Sequence, residues 1–379
     1  MNIFETIHGL PVWASVLLAV TVSFVLLALV NYSIALFVER RRPPTGRFIE
    51  VNGVRLHYTD EGAGRAVVLL HGNGVSGDDY KTSSVAERLV GAYRVIIFDR
   101  PGFGHTPRPR GQLWRAAEQA DLIHAAFVRL GVRDAIIVGH SWGTLVALAL
   151  AQRHPANVTC LVLLSGYYFP TARLDTLLVA PLTMPVLGDI LGYTIAPLFG
   201  WLTMPLAKRA MFAPSRVTER FKREFSTAMA VRPWQIRASA LDGVGMVPDA
   251  SRLSPQYGSL SIPVAIMTGD GDKVIPPKQA DKLRGAIPDG TLQILHGIGH
   301  MIHHVGTQQV VDAIDEVARK YPANVLPRAG SPLAPAVTRL KDGALVAGGG
   351  LLSTPRPKPL RGCWPQLPPF HFSSAGSAS

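Results

Sequence analysis

Short aliphatic runs alternate with amphipathic segments through residues 46–321, and this alternation limits the fold more than any other feature. Runs such as AVVLL at 66–70 and AIIVG at 135–139 show no polar alternation. They are typical of strands buried on both faces of a parallel sheet. Strands that alternate with helices predict an α/β sandwich with the sheet in the middle. The predicted strands are 66–70, 95–99, 135–139, 158–164, 264–268 and 292–295, after a hairpin at 48–59; the predicted helices are 112–130, 142–154, 277–287 and 305–321.

An uncharged segment precedes this body: residues 10–38 contain no Asp, Glu, Lys, Arg or His. A helix needs about 20 apolar residues to cross a hydrocarbon layer of roughly 30 Å, so the segment is long enough to span a membrane. A cleaved signal peptide would have a basic start and an apolar run of about 7–15 residues. Residues 1–9 contain Glu5 and no Lys or Arg. We therefore predict a retained transmembrane helix at 10–38 behind an N-terminal segment at 1–9.

Four arginines follow this segment, namely Arg40, Arg41, Arg42 and Arg47. Basic residues beside a span tend to stay on the cytoplasmic side, and they attract anionic lipid headgroups. The sequence therefore predicts a single-pass membrane protein with a basic linker at 39–46. Membrane lipid is a predicted partner, and the body is expected on the cytoplasmic side.

The C-terminal tail at 322–379 carries six Lys or Arg residues against Asp342 alone and is rich in Pro and Gly. It lacks sustained apolar periodicity, so we predict that it is disordered. The tail accounts for part of the net charge of +12. The chain contains no recognisable DNA-binding or RNA-binding motif, and nucleic acid is not a predicted partner.

About a hundred residues pass between Leu164 and Ile262 without a comparable strand, which predicts a helical lid at 166–261 inserted after the sixth strand. Within 176–207, Asp189 is the only charged residue. Three possibilities stay open: the lid packs on its own core, it touches the bilayer or lines an acyl-chain pocket, or it forms a re-entrant segment. Prolines are predicted to divide it into short helices and argue against a second span: Pro181, Pro185, Pro197 and Pro205. The core itself is predicted in two parts, 47–165 and 262–321.

The motif Gly139-His140-Ser141-Trp142-Gly143 follows a predicted buried strand and opens a predicted helix. This is G-x-S-x-G in the context that the motif requires. Its glycines permit a turn too tight for a Cβ, and the serine hydroxyl projects above the sheet edge. The positive end of the following helix points at the place where an oxyanion would form. The motif predicts that Ser141 is a nucleophile.

A serine nucleophile needs a base, and the base needs an acid that orients it. In this architecture the chain order is Ser, then Asp or Glu, then His. Asp270 and Asp272 follow the predicted strand at 264–268, and His300 follows the strand that ends near Leu295. Both loops lie past strand ends, where ligands gather in open α/β sheets.

These residues together resemble the α/β-hydrolase superfamily over about residues 48–321. The family's H-G-x-G segment is matched by His71-Gly72-Asn73-Gly74, and its D-x-x-G-x-G segment by 99–104, which begins at Asp99. The resemblance implies a mostly parallel eight-stranded sheet with helices on both faces and a helical lid after the sixth strand.

The resemblance also implies the partners of Ser141. The family's acid stands three residues after a strand-end glycine, which favours Asp272 over Asp270. The family's base follows G-x-G-H, which is His300 here, with His303 and His304 as nearby alternatives.

The oxyanion hole is implied by the same resemblance. Its donors would be the backbone N–H groups of Asn73 and Trp142. Three further polar residues near the motif, Asp99, His71 and His140, are expected to brace loops by hydrogen bonds. Four residues are predicted to pack without a chemical role: Cys160, Trp114, Trp201 and Trp234.

The function predicted from this site is hydrolysis of carboxylic esters through an acyl-enzyme. A serine at position 141 argues against haloalkane dehalogenase and epoxide hydrolase relatives, which carry aspartate there. The anchor, the apolar lid and the basic run favour a lipophilic acyl ester, in an arrangement similar to membrane-anchored members of the monoacylglycerol lipase type.

Three alternatives stay open. The first is a peptidase similar to proline iminopeptidases, which share G-x-S-W-G followed by Q-x-H-P. The second is a cofactor-free perhydrolase or haloperoxidase, and the third is a membrane-tethered binding protein without catalysis. Two cysteines, Cys160 and Cys363, cannot form a disulfide framework or a four-cysteine zinc site. The sequence predicts no metal and no organic cofactor, and it does not indicate an oligomeric state.

Overall fold

The predicted strands join in one eight-stranded sheet in the computed structural model, which describes residues 11–322. The strand order is β1-β2-β4-β3-β5-β6-β7-β8. The pairs β1–β2 and β2–β4 are antiparallel, and the other five pairs are parallel. The prediction of a mostly parallel eight-stranded sheet is confirmed. The strands are β1 (Arg47–Val51), β2 (Val54–Glu61), β3 (Ala66–Leu70), β4 (Arg94–Phe98), β5 (Ala135–His140), β6 (Val158–Leu164), β7 (Val264–Gly269) and β8 (Gly290–Leu295).

Helices precede the sheet, cover it, and form the insertion between β6 and β7. Within the described residues this insertion contains no strand, so the predicted position of the lid is confirmed. The helices are α1 (Val12–Arg41), α2 (Asp78–Thr82), α3 (Val85–Leu89), α4 (Ala116–Leu130), α5 (Gly143–Arg153), α6 (Asp175–Val179), α7 (Leu187–Tyr193), α8 (Ile195–Phe212), α9 (Glu219–Glu224), α10 (Thr227–Ala230), α11 (Pro233–Leu253), α12 (Lys278–Ala286), α13 (Ile302–Val305) and α14 (Thr307–Lys320), with 3₁₀ turns at Pro155–Asn157, Ala180–Thr183 and Ser254–Ser259.

The sheet has helices on both faces, as its sequence predicts. Successive side chains of a strand point to opposite faces. In β3, Val68 belongs to a buried cluster that contains Leu148 of α5, whereas Val67 belongs to a second cluster that contains Ile314 of α14. All five residues of β3 are buried. The absence of polar alternation in this strand follows from burial on both sides.

The lid differs from its prediction at one proline. Chain breaks coincide with Pro181 and Pro185, which lie between α6 and α7. Pro205, by contrast, lies inside α8, which continues to Phe212. A proline removes one helical hydrogen bond, and the remaining bonds carry α8 past this position. The prediction that all four prolines divide the lid is therefore wrong at Pro205.

Helix α1 is longer at its C-terminal end than the predicted span at 10–38. It begins at Val12 and continues through Arg41, so the first two arginines are helical and the non-helical linker starts at Arg42 rather than at residue 39. By length and composition α1 can cross a membrane, and a signal sequence near an N-terminus would meet the same criterion. The predicted segment at 1–9 and residues 323–379 of the predicted tail lie outside the described residues.

Candidate active site

Ser141 stands at a sharp turn between β5 and α5. Its φ of 52° lies in the left-handed region, which is strained for a residue with a Cβ. The glycine after the turn permits this path, because a Cβ on Gly143 would lie 2.3 Å from the carbonyl oxygen of Leu70. The predicted strand–turn–helix setting of the serine is therefore present.

His300 and Asp272 meet at the ends of neighbouring strands. The His300 Nδ1 lies 2.8 Å from the Asp272 Oδ2, and both side chains are buried. The other carboxylate oxygen accepts the backbone N–H groups of Val274 and Ile275, each at 2.9 Å. A carboxylate accepts hydrogen bonds only, so the Nδ1 of His300 is the donor, and in the neutral imidazole this leaves Nε2 as the acceptor.

The two reacting atoms of the predicted triad are not engaged by residues 11–322. Within this range the Nε2 of His300 and the Oγ of Ser141 have no hydrogen-bond partner, and neither is among the atoms that are buried without one. They do not bond each other in this structure, and catalytic hydrogen bonds often tighten only when substrate binds. His140, the residue before Ser141, donates from its Nε2–H to the backbone carbonyl of His300 at 3.1 Å.

The competing acid and bases are engaged elsewhere. Asp270 lies 3.0 Å from the Nδ1 of the exposed His296. His303 and His304 each lie 2.8 Å from a different oxygen of Asp79. Among these candidates, the structure brings Asp272 and His300 together and leaves the others apart from that pair.

The predicted oxyanion donors have free backbone N–H groups. Within the described residues, neither the Asn73 nor the Trp142 main-chain N–H donates to a protein acceptor. Their side chains hold the lid helix α11: the Asn73 Nδ2 donates to the Ser239 carbonyl at 3.0 Å, and the Trp142 Nε1 to the Asp242 carbonyl at 2.8 Å. The lid is thus bonded directly to the residues that flank the proposed oxyanion site.

Arg100 is the structural residue that the sequence analysis missed. Its side chain is fully buried, and it donates to the carbonyls of His71 and Gly72, each at 2.9 Å. Its other two partners are Gln119 at 3.0 Å and Asp242 of α11 at 2.6 Å, and the Asp242 side chain is also fully buried. Arg100 therefore fixes the loop that presents Asn73 and ties it to the lid. No local sequence pattern connects positions that are 142 residues apart.

Asp99 and His71 brace loops, as predicted. Asp99 accepts hydrogen bonds from the His57 Nδ1 at 2.7 Å and from the Gly77 and His105 backbone N–H groups. Burial opposes its ionisation, yet the bond from His57 and the neighbouring charges lower the pKa of Asp99 to about 2. Burial, together with the positive charge of Arg100, lowers the pKa of His71 to about 4.

A second histidine cluster lies next to His300. The ring of His140 is 4.2 Å from that of His303 and 4.9 Å from that of His300. Burial raises the pKa of Asp79, but the two imidazoles that it binds outweigh this effect and hold its pKa well below the usual range. Donor atoms of Asp79, His140 and His303 lie within 4.8 Å of one another and could hold a metal ion, an arrangement that the sequence analysis did not predict.

The packing predictions hold for two residues and fail for one. Cys160 and Trp114 are buried, whereas Trp201 on α8 is 49% exposed. The α8 surface is therefore not a core surface. Trp234 is half-buried at the start of α11.

A cavity of about 260 Å³ lies beside the loop at 71–74. Its lining includes Gly74 from that loop, Arg42 directly after α1, and Phe225 and Met229 from the lid. Ser141 does not contribute to this lining, and the lining mixes charged with apolar groups.

The sheet and the serine at its strand–turn–helix elbow define the class of α/β-fold hydrolases. The sequence profile described as "alpha/beta hydrolase fold" matches residues 65–307, and the chain belongs to this family.

Relatives within the family include hydrolases of different bonds. The chain is 25% identical over 283 residues to Lipase 1 of Psychrobacter immobilis, covering 72% of this chain and 81% of the lipase. It is 28% identical over 235 residues to a putative carbamate hydrolase of Escherichia coli, covering 62% and 84%. The fold is shared with an esterase from Exiguobacterium antarcticum, at a TM-score of 0.59 and 21% identity, covering 73% of this chain and 100% of that one.

Replacing Asp242 by Asn is expected to destabilise the fold by about 3–5 kcal/mol, because Arg100 would keep a buried charge without its partner. Glu87→Gln serves as the control, since Glu87 pairs with Arg220 at the surface and such a pair contributes about 0–1 kcal/mol. Thermal unfolding of both variants in detergent tests this. Equal shifts of the two midpoints would contradict the importance of the buried pair.

Acidification is expected to destabilise the protein through its buried neutral histidines. Burial lowers the pKa values of His71 and His303 from 6.5 to about 4. Their contribution to the free energy of unfolding is therefore complete above pH 6.5 and is lost as the pH falls towards 4. At pH 5 each histidine has lowered the free energy of unfolding by about 2 kcal/mol. Asp249 acts oppositely, because burial raises its pKa to about 6, and it raises the free energy of unfolding by about 1 kcal/mol between pH 7 and pH 5.

Thermal midpoints at pH 7 and pH 5 measure this net loss. His71→Gln keeps an acceptor near the position of the His71 Nε2 for the Arg100 backbone N–H and should reduce the pH dependence. His296→Gln, at a side chain that is 88% exposed, should leave it unchanged. An unaltered pH dependence in His71→Gln would refute the assignment to His71.

Proposed function

We propose that the protein is a membrane-anchored serine hydrolase that cleaves lipophilic acyl esters through Ser141, His300 and Asp272. The observation that carries the proposal is the buried His300–Asp272 pair at 2.8 Å, which leaves the His300 Nε2 bare and reachable at the rim where Ser141 stands. α1 is the proposed single-pass anchor, and the arginines after it favour a body on the cytoplasmic side.

In the proposed first half-reaction, the Ser141 Oγ attacks the ester carbonyl and its proton passes to the His300 Nε2. The negative oxygen that develops is stabilised by the backbone N–H groups of Asn73 and Trp142. Asp272 stabilises the imidazolium without taking its proton. Collapse of the tetrahedral intermediate breaks the ester C–O bond, and His300 returns the proton to the departing alcohol.

In the second half-reaction, water attacks the acyl-enzyme. His300 takes a proton from the water, and the same oxyanion donors stabilise the new intermediate. Its collapse releases the carboxylic acid and returns the proton to Ser141. The protein groups are restored, so the cycle needs no cofactor from outside.

The substrate class follows from the surroundings of the site. The uncharged segment of α1 and the exposed apolar side chains of α8 favour a molecule that resides in or at a membrane. The relationship to Lipase 1 is consistent with an acyl ester. Monoacylglycerols are the simplest substrates of this kind.

The lid offers little for the amine-binding peptidase alternative. Its six acidic residues all pair with Lys or Arg side chains. A peptidase that holds a substrate amine needs a carboxylate without such a partner. The pairing therefore favours an ester over an aminoacyl substrate; the six residues are Asp175, Asp189, Glu219, Glu224, Asp242 and Asp249.

Substitution of Asp272 by Asn should lower kcat for a long-chain p-nitrophenyl ester by about 10⁴, because the amide would hold the wrong tautomer of His300. Asp270→Asn is the matched control and should retain activity, since Asp270 contacts His296 instead. Ser141→Ala should abolish turnover. A comparable loss of activity in both aspartate variants would show that the assignment of Asp272 as the acid is wrong.

Two probes separate the remaining alternatives. A fluorophosphonate should label the wild type and not Ser141→Ala; an unlabelled wild type would support a binding protein without catalysis. Faster cleavage of a prolyl arylamide than of an acyl ester would support the peptidase. Peroxide-dependent halogenation that exceeds ester hydrolysis would support the perhydrolase.

A further inference from the structure

The first half of the lid exposes an unusual amount of apolar surface. Between residues 174 and 206, thirteen large apolar side chains are exposed, against five in residues 43–173 and 207–322 together. Leu202 is 79% exposed and Phe199 is 65% exposed. Soluble proteins rarely expose so many large apolar side chains within one segment, and large exposed apolar patches mark contact with another molecule or a membrane.

This region is also as long and apolar as a membrane span. The segments Asp175–Thr183 and Leu187–Tyr193 together meet the length and composition of a spanning helix, but they are bent by 103° at the break between them. Asp189, the one charged residue of 176–207, is neutralised by Arg110 at 2.7 Å and Arg237 at 2.9 Å.

Asn31 connects this half of the lid to α1. Its Nδ2 donates to the backbone carbonyls of Tyr193 and Thr194, both at 2.8 Å. These carbonyls lie where the chain passes from α7 to α8. At hydrocarbon depth, a break in a helix is tolerated only when protein groups satisfy its backbone. Asn31 supplies that bond, and the break in turn satisfies an amide that would otherwise be isolated in an apolar helix.

The contacts of α1 change from apolar to polar towards its C-terminal end. Near Asn31, α1 packs on the apolar half of the lid. At its end, Glu39 forms an ion pair with Arg232, and Arg42 donates to the Glu224 carbonyl at 3.2 Å. Asn31 lies nine residues before Arg40, which is roughly 13 Å along a helix.

The exposed face of α1 is still apolar on the C-terminal side of Asn31. Ile34 is 45% exposed and Phe37 is 57% exposed. If α1 crosses a membrane, the hydrocarbon layer therefore extends past Asn31 towards the charged end of the helix. The apolar half of the lid is level with hydrocarbon, and the charged half is level with the headgroups.

We infer that residues 174–206 of the lid lie in the bilayer, where they form one embedded unit with α1 through Asn31. The occupant of the apolar lid surface is lipid hydrocarbon. The inference rests on the proposed anchoring by α1 and deepens the proposed function, because it places the roof of the active site within the layer that holds acyl chains.

Depth-dependent quenching tests this on the full-length chain in phosphatidylcholine vesicles that contain doxyl-labelled lipid. In a Cys363→Ser background, with Cys160 buried, an environment-sensitive fluorophore is attached to Leu202→Cys on α8. The same label at Val25→Cys reports α1, and at Val128→Cys it reports α4 of the core. Leu202 and Val128 are both exposed apolar residues, which makes them a matched pair.

Quenching at positions 202 and 25, with none at 128, is the expected result. Quenching at 25 alone would overturn the lid inference and leave the anchor intact. No quenching at any position would overturn the anchor itself. Equal quenching at all three would also refute the lid assignment, since it would report the vesicle surface rather than insertion. Ester hydrolysis, measured on the same samples with a soluble p-nitrophenyl ester, tests the catalytic proposal separately.

Asn31→Leu tests the hydrogen bonds between α1 and the lid. Leucine keeps α1 apolar and removes both hydrogen bonds, so quenching at position 202 should decrease while quenching at 25 is retained. Ser33→Leu, two residues away on an exposed part of α1, should alter neither signal. If Asn31→Leu quenches as strongly at 202 as Ser33→Leu does, Asn31 does not hold the lid in the bilayer.

Discussion

A single buried guanidinium connects three parts of this protein that are distant in sequence. Arg100, on the loop after β4, binds the carbonyls before Asn73 and the carboxylate of Asp242 on the lid. A buried charge is tolerated only when it is paired and fully hydrogen-bonded. The requirement to satisfy Arg100 therefore fixes the lid helix α11 against the loop at 71–74, which carries the predicted oxyanion donor Asn73.

Buried carboxylate–histidine pairs recur around this centre, and their free nitrogens distinguish their roles. The His57 Nε2 accepts the Gly46 N–H, so that ring is occupied on both sides. The Nδ1 atoms of His303 and His304 are sealed from solvent. The Nε2 of His300 is the one that stays reachable among these four rings. The same pairing can thus brace a loop or present a base, depending on access to the second nitrogen.

The sequence predicts whatever depends on short-range pattern. The run at β3 and the motif around Ser141 define the sheet and the elbow, because burial on both faces and a tight turn each restrict residue type locally. Asp272 and His300 could be placed on loops because each follows a strand that the sequence predicts. The partner of Arg100, the Asn31–lid contact and the Asp79 cluster depend on tertiary contacts that no local pattern records. The helical state of Arg40 and Arg41 was also missed, since composition marks charge and not where a helix ends.

Helix α1 meets the body without a hinge. It is helical through Arg41, and Glu39 near its end pairs with Arg232. About two turns earlier, Asn31 donates hydrogen bonds to the lid. Contacts at two positions along α1 restrict its rotation relative to the lid more than a single flexible linker would. A tilt of α1 is therefore expected to move the lid with it.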